Sequence, residues 1–127
     1  MRSTKIFSIL SLSVGTALVT PYTAWSQAVP QSFAASPDVY KVIAENEQYR
    51  MILATWKPGQ RDAWHSHGPT VGNYFLTDCH LRAHTPDGKS VENQRNAGFA
   101  SVSGRVASHS VENIGSSECR VILFEPK

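Results

Sequence analysis

Residues 50–67 read Arg50-Met51-Ile52-Leu53-Ala54-Thr55-Trp56-Lys57-Pro58-Gly59-Gln60-Arg61-Asp62-Ala63-Trp64-His65-Ser66-His67. The first seven residues are mostly apolar and include the β-formers Ile52, Thr55 and Trp56, with no helical period among them. Lys57-Pro58-Gly59 then supplies a fixed φ followed by a permissive one, as a turn requires. The chain resumes as a second β-like run over residues 62–67. On such a run the side chains at i and i+2 project to one face, so His65 and His67 aim at a common point, and Arg61 and Ala63 share their face.

The same grammar continues outward. Strands are expected over residues 39–44, 50–56, 62–67, 73–77, 80–84, 90–93, 99–102, 108–113 and 120–124. Pro86-Asp87-Gly88-Lys89, Asn96-Ala97-Gly98 and Asn113-Ile114-Gly115 punctuate them as further turns. No apolar run at i, i+3, i+4 and i+7 is long enough for an amphipathic helix. The fold class is therefore all-β. Eight to nine short strands in so short a chain are expected to close into a jelly-roll β-barrel, which removes the strand edges they would otherwise expose. Residues 38–127 form this single domain, and residues 29–37, rich in Pro, Ser, Ala and Gln, read as an extended N-terminal arm.

The start of the chain has a different character. Arg2 and Lys5 precede an uncharged apolar stretch over residues 6–19, shorter than the roughly 20 residues of a spanning helix and closed by Pro21. Residues 1–28 thus read as a signal peptide, with small residues placed for cleavage after Ser26 or Ala28. The expectation is an exported protein, periplasmic or secreted, with no membrane anchor. The whole chain has 12 Lys and Arg against 10 Asp and Glu, a formal charge of +2. Removing Arg2 and Lys5 with the leader leaves the mature chain neutral, and no basic cluster remains to track nucleic-acid phosphates. Cys79 and Cys119 remain after cleavage. In an oxidising compartment they form either a disulfide closing a loop of about 40 residues or a pair of buried thiols on neighbouring strands.

Histidines stand at 65, 67, 80, 84 and 109. Gly59 precedes His65 by five intervening residues, and Gly98, His109 and Asn113 follow at a spacing of their own. This pattern resembles the cupin superfamily, whose two motifs read G-x5-H-x-H-x3/4-E-x6-G and G-x5-P-x-G-x2-H-x3-N. Gly59, His65, His67, Gly98, His109 and Asn113 match. Val71 stands where the first motif has Glu, Asp78 where it ends in Gly, and Gly104 and Val106 where the second has Pro and Gly. The run His109-Ser-Val-Glu-Asn-Ile-Gly115, with Pro86-Asp-Gly-Lys89, is similar to small single-domain cupins described as β-alanine degradation-type proteins.

The resemblance implies that His65, His67 and His109 ligate a divalent metal such as iron, manganese, nickel or zinc. With Val71 in place of Glu, three neutral imidazoles remain, as in three-His dioxygenases of this superfamily, with open positions for water, substrate or oxygen. It also implies a homodimer. Asn73, sharing a face with Val71, Phe75 and Thr77, and Arg61 near the barrel mouth are candidates for contact with substrate or a bound water. No residue stands out as a catalytic base. His80 and His84 alternate with Leu81 and Ala83 and read as a polar outer face. Trp56, Trp64, Tyr74 and Phe124 read as core or interface. The function expected is that of a metal-dependent enzyme acting on a small molecule, and the alternative is a noncatalytic barrel that binds a small ligand or a metal.

Overall fold

The alternation of inward and outward residues along each apolar run becomes a strand in the computed structural model, which describes residues 28–127. The expected leader, Ala28 apart, lies outside the described residues. After a helical turn α1 (Ser32–Ala35) come β1 (Tyr40–Glu45), β2 (Tyr49–Trp56), β3 (Thr70–Phe75), β4 (Cys79–His84), β5 (Ser90–Arg95), β6 (Ala100–Gly104), β7 (Ser110–Asn113) and β8 (Cys119–Pro126). They form a five-stranded sheet in the order β1-β2-β8-β3-β6 and a three-stranded sheet in the order β5-β4-β7, with every pair antiparallel. The two sheets enclose the core, giving the double sheet expected from the turn spacing. Among the described residues no helix is long and apolar enough to cross a membrane.

Register explains where the core sits. Ile52, Ala54 and Trp56 of β2 pair with Leu123, Val121 and Cys119 of β8, and all six are buried on one continuous inner face. Val71 of β3 and Leu81 and Val111 of the smaller sheet close over them. The opposite face of the large sheet carries Met51, Tyr74, Val102 and a stacked pair, Tyr49 and Phe124, all exposed. Trp56 is core, whereas Trp64, Tyr74 and Phe124 face outward.

Two expectations are corrected. Residues 62–67 are not a continuous strand: the segment makes only isolated bridges, Arg61 to Glu112, His65 to His109, and Ser66 to Gln31. The cause is Asp62, whose carboxylate Oδ1 accepts from the Val111 amide at 2.6 Å, while the Asp62 carbonyl accepts from the Ser110 hydroxyl. A side chain thus replaces the backbone acceptor and breaks the ladder. Asp62, His65 and His67 are buried, but Arg61, Ala63 and Trp64 are exposed, which period-two alternation does not allow. The arm also departs from a plain extended chain. Ser32–Ala35 form one helical turn, closed by the Ser36 amide on the Ser32 carbonyl. Gln31 and Phe33 both meet Arg50, and the Val29 carbonyl accepts from Ser66, so the arm lies on its own barrel.

Turn glycines behave as their motif positions suggest. Gly59 and Gly98 sit at φ of 76° and 85°, where a side chain would be strained. Among the described residues no non-glycine has positive φ, so Val106 occupies its motif slot without left-handed strain. Cys79 and Cys119 are joined in a disulfide with Cα atoms 5.0 Å apart, linking the start of β4 in one sheet to the start of β8 in the other.

Candidate metal centre

His65 and His67 reach the barrel interior from the pinned segment before β3, and His109 reaches it from the residue before β7. The His65 and His109 backbones exchange both hydrogen bonds at 2.9 Å, and the His67 amide donates to the Val106 carbonyl, which fixes all three approaches. The His67 Nε2 lies 3.1 Å from both His65 Nε2 and His109 Nε2. One ligand atom from each of the three residues lies within 4.8 Å of the others.

Their outer nitrogens settle the tautomers of two rings. His65 Nδ1 donates to the Ala63 carbonyl at 2.9 Å, and His67 Nδ1 donates to Glu125 Oε1 at 2.5 Å. In a neutral ring with its proton on Nδ1 the lone pair is on Nε2, and the His65 and His67 Nε2 atoms stand 3.1 Å apart. Burial, followed by the charges of His65 and His67, pushes His109 down to about 3. Burial likewise lowers His65 against the opposing pull of Asp62.

Two buried carboxylates flank the imidazoles. Glu125 is 2% exposed and Asp62 6% exposed, and among the described residues neither has a Lys or Arg within ion-pair distance. Asp62 Oδ2 accepts from the Tyr40 hydroxyl at 2.7 Å and from Trp56 Nε1 at 3.1 Å. The Tyr40 hydroxyl also lies 3.3 Å from His65 Nε2, and burial, with Asp62 next, raises its pKa well above the ordinary phenol value. Two buried carboxylates beside three imidazoles, with no Lys or Arg close by, suit a divalent cation. The spacing fits as well. His67 Nε2 stands 3.1 Å from each of the other two Nε2 atoms, a separation that one ion bonded at about 2.1 Å could bridge.

The centre opens onto a cavity of about 360 Å³ between the sheets, lined on this side by His67, His109 and Tyr40. Asn73 is on its wall as expected, with its amide nitrogen 3.5 Å from both the Val71 carbonyl and the Ser101 hydroxyl. Arg61 is not on it. The broken alternation turns Arg61 outward, where it donates to Ser110 Oγ and lies over Trp64, so its expected place near substrate is not realised. Thr77 falls beyond the end of β3 and binds the Glu118 carbonyl. His80 and His84 pair with Glu92 and Glu112 on the outer face of the small sheet, as their alternation implied. Asn113 ties the turn around Gly115 and holds the Trp56 carbonyl, a structural role.

Glu125, Asp62 and Tyr40 were not singled out in the sequence. Glu125 had a signal: Cys119, Val121, Leu123 and Glu125 share one parity, and all are buried. Asp62 and Tyr40 had none, since their pairing depends on where the ladder breaks.

No family model matches the chain, and no curated protein matches it. Solved structures do. A cupin domain from Bordetella pertussis is similar at a TM-score of 0.64 and 24% identity, over 78% of this chain and 96% of its own. A cupin family protein with a double-stranded β-helix fold from Methanocaldococcus jannaschii matches at 0.56 and 11% identity, over 69% and 78%. A polyketide cyclase from Streptomyces resistomycificus matches at 0.53 and 17% identity, over 68% and 63%. The chain has the double-stranded β-helix fold of cupin domains.

Proposed function

We propose that this chain is an exported metalloprotein that binds one divalent ion through His65, His67 and His109 and acts on a small molecule held in the adjoining cavity, with a dioxygenase-type reaction as the leading activity. The observation that carries the metal reading is the convergence of three imidazoles, with Nε2 atoms 3.1 Å apart, beside two buried carboxylates that have no Lys or Arg partner among the described residues. When bound, the metal would polarise a ligand oxygen as a Lewis acid or activate oxygen.

The protein supplies the surroundings. Glu125 and the Ala63 carbonyl lock two rings in the metallating tautomer. Tyr40 keeps a proton on its hydroxyl beside the same point and donates it to Asp62. The apolar walls limit water. The second reading, a noncatalytic binding barrel, is favoured by that same Tyr40, since the polar group next to the centre that could move a proton already donates it to Asp62. The disulfide supports export, because such bonds persist in oxidising compartments.

Metal content of the mature, untagged protein tests the reading. About one equivalent, lost in His65→Ala and His109→Ala, is expected, and oxygen consumption with candidate substrates then separates enzyme from binder. A folded protein that stays empty after anaerobic loading with iron, manganese, nickel and zinc would overturn it.

A further inference from the structure

The cavity has a second pole. Arg95, the last residue of β5, lines it where β5 turns into β6, on the part of the wall that also carries Phe75 and Phe99. Among the described residues no Asp, Glu or Lys lines this cavity, so Arg95 is its one permanent charge.

The guanidinium is held in place without being neutralised. Nη1 donates to the Gln94 carbonyl at 2.9 Å, Nη2 reaches Asn93 Oδ1 at 3.4 Å, and the guanidinium carbon lies 4.8 Å from the centre of the Phe99 ring. No carboxylate among the described residues pairs with it. Two of its five N–H donors are spent on uncharged oxygens, which leaves a fork for a planar anion. Phe75 and Phe99 meet edge to face at 5.8 Å beside it and offer an apolar surface of ring size. Both flanking carboxylates of the histidine centre, Asp62 and Glu125, stand outside the cavity lining.

From this placement we infer that the cavity selects small carboxylic acids, with Arg95 binding the carboxylate and the aromatic wall binding an apolar body that extends toward the histidines. At about 360 Å³ the space is at the low end of the roughly 300–1,000 Å³ of small-molecule sites, which fits a single-ring or short-chain acid. The inference rests on the proposed function for what lies at the other pole, but the Arg95 contact itself needs no metal.

Calorimetric titration with phenylacetate and with phenylacetamide, on zinc-loaded and on metal-stripped protein, tests it. The acid is expected to bind about tenfold or more tightly than the amide in both forms, the worth of one charge-assisted contact. Arg95→Gln should abolish that preference with metal content unchanged, and Arg95→Lys should keep part of it. Equal binding of acid and amide, no binding of either, or a preference that survives Arg95→Gln would overturn the inference. So would a preference confined to zinc-loaded protein, which would put the carboxylate on the metal. A wild type that holds no metal but keeps an Arg95-dependent preference would sink the metal reading and sustain this one. The acid–amide comparison and its loss with added salt are read on the wild type, so they decide even if a variant fails to fold.

Discussion

Glu125 occupies the last inward position of β8, and its contact with His67 Nδ1 gives it control over a ring on the segment leading into the neighbouring β3. Outer-sphere carboxylates of this kind orient the ligand and raise its basicity. Glu125→Gln is expected to lower metal affinity about 10- to 100-fold while the fold persists, as measured by competition with a chelator of known affinity. His109 gives a second expectation at this scale. In metal-stripped protein the unfolded chain takes a proton on this ring near 6.5, whereas the folded state refuses it down to about 3. The unfolded state therefore binds more protons between those values. Its contribution to stability is complete above about 6.5 and is lost as pH falls, at up to roughly 1.4 kcal/mol per pH unit. Urea unfolding from neutral to mildly acid pH should show that slope, and His109→Gln should flatten it. The three clustered histidines were legible because i, i+2 spacing and motif register place them without knowledge of the fold. Asp62 was not, because strand parity chose Arg61 and Ala63 for the face that Asp62 in fact breaks.

At the scale of elements, eight strands lie close to the segments expected from turn chemistry, and the ninth segment becomes the loop that carries His65 and His67. Residues 62, 65, 66 and 67 each find a different backbone neighbour: their amides donate to the carbonyls of Val111, His109, Pro30 and Val106. That scattering lets His65 and His67 converge without a regular ladder. The disulfide fastens β4 to β8, and β8 carries Glu125 at its other end. Replacing both Cys79 and Cys119 by Ala should lower stability by about 4 kcal/mol, the chain-entropy value for a closed loop of 40 residues, read as a shift in urea midpoint. The sequence left disulfide and free thiols open, since only the 5.0 Å approach of two Cα atoms on separate strands distinguishes them.

For the whole molecule, the histidine cluster joins the two layers. His65 and His67 come from the segment leading into β3 of the large sheet, His109 from the residue leading into the small sheet, and Glu125 from β8. An ion bound there should stabilise the folded state by mass action, by about 2.7 kcal/mol at a free concentration one hundred times the dissociation constant. Scanning calorimetry before and after chelation should show the melting temperature fall and then recover on reloading. The sequence by itself determined the strand-and-turn pattern, the all-β class and the three imidazoles, because alternation, turn residues and short-range spacing are local properties of the chain. Only the tertiary structure decided that Asp62, Tyr40 and Glu125 surround those imidazoles, that the two cysteines are bonded, and that Arg95 rather than Arg61 faces the cavity. Apart from Asp62 beside His65, these depend on residues far apart in sequence, and all are fixed by sheet register and by one broken ladder that no local pattern records.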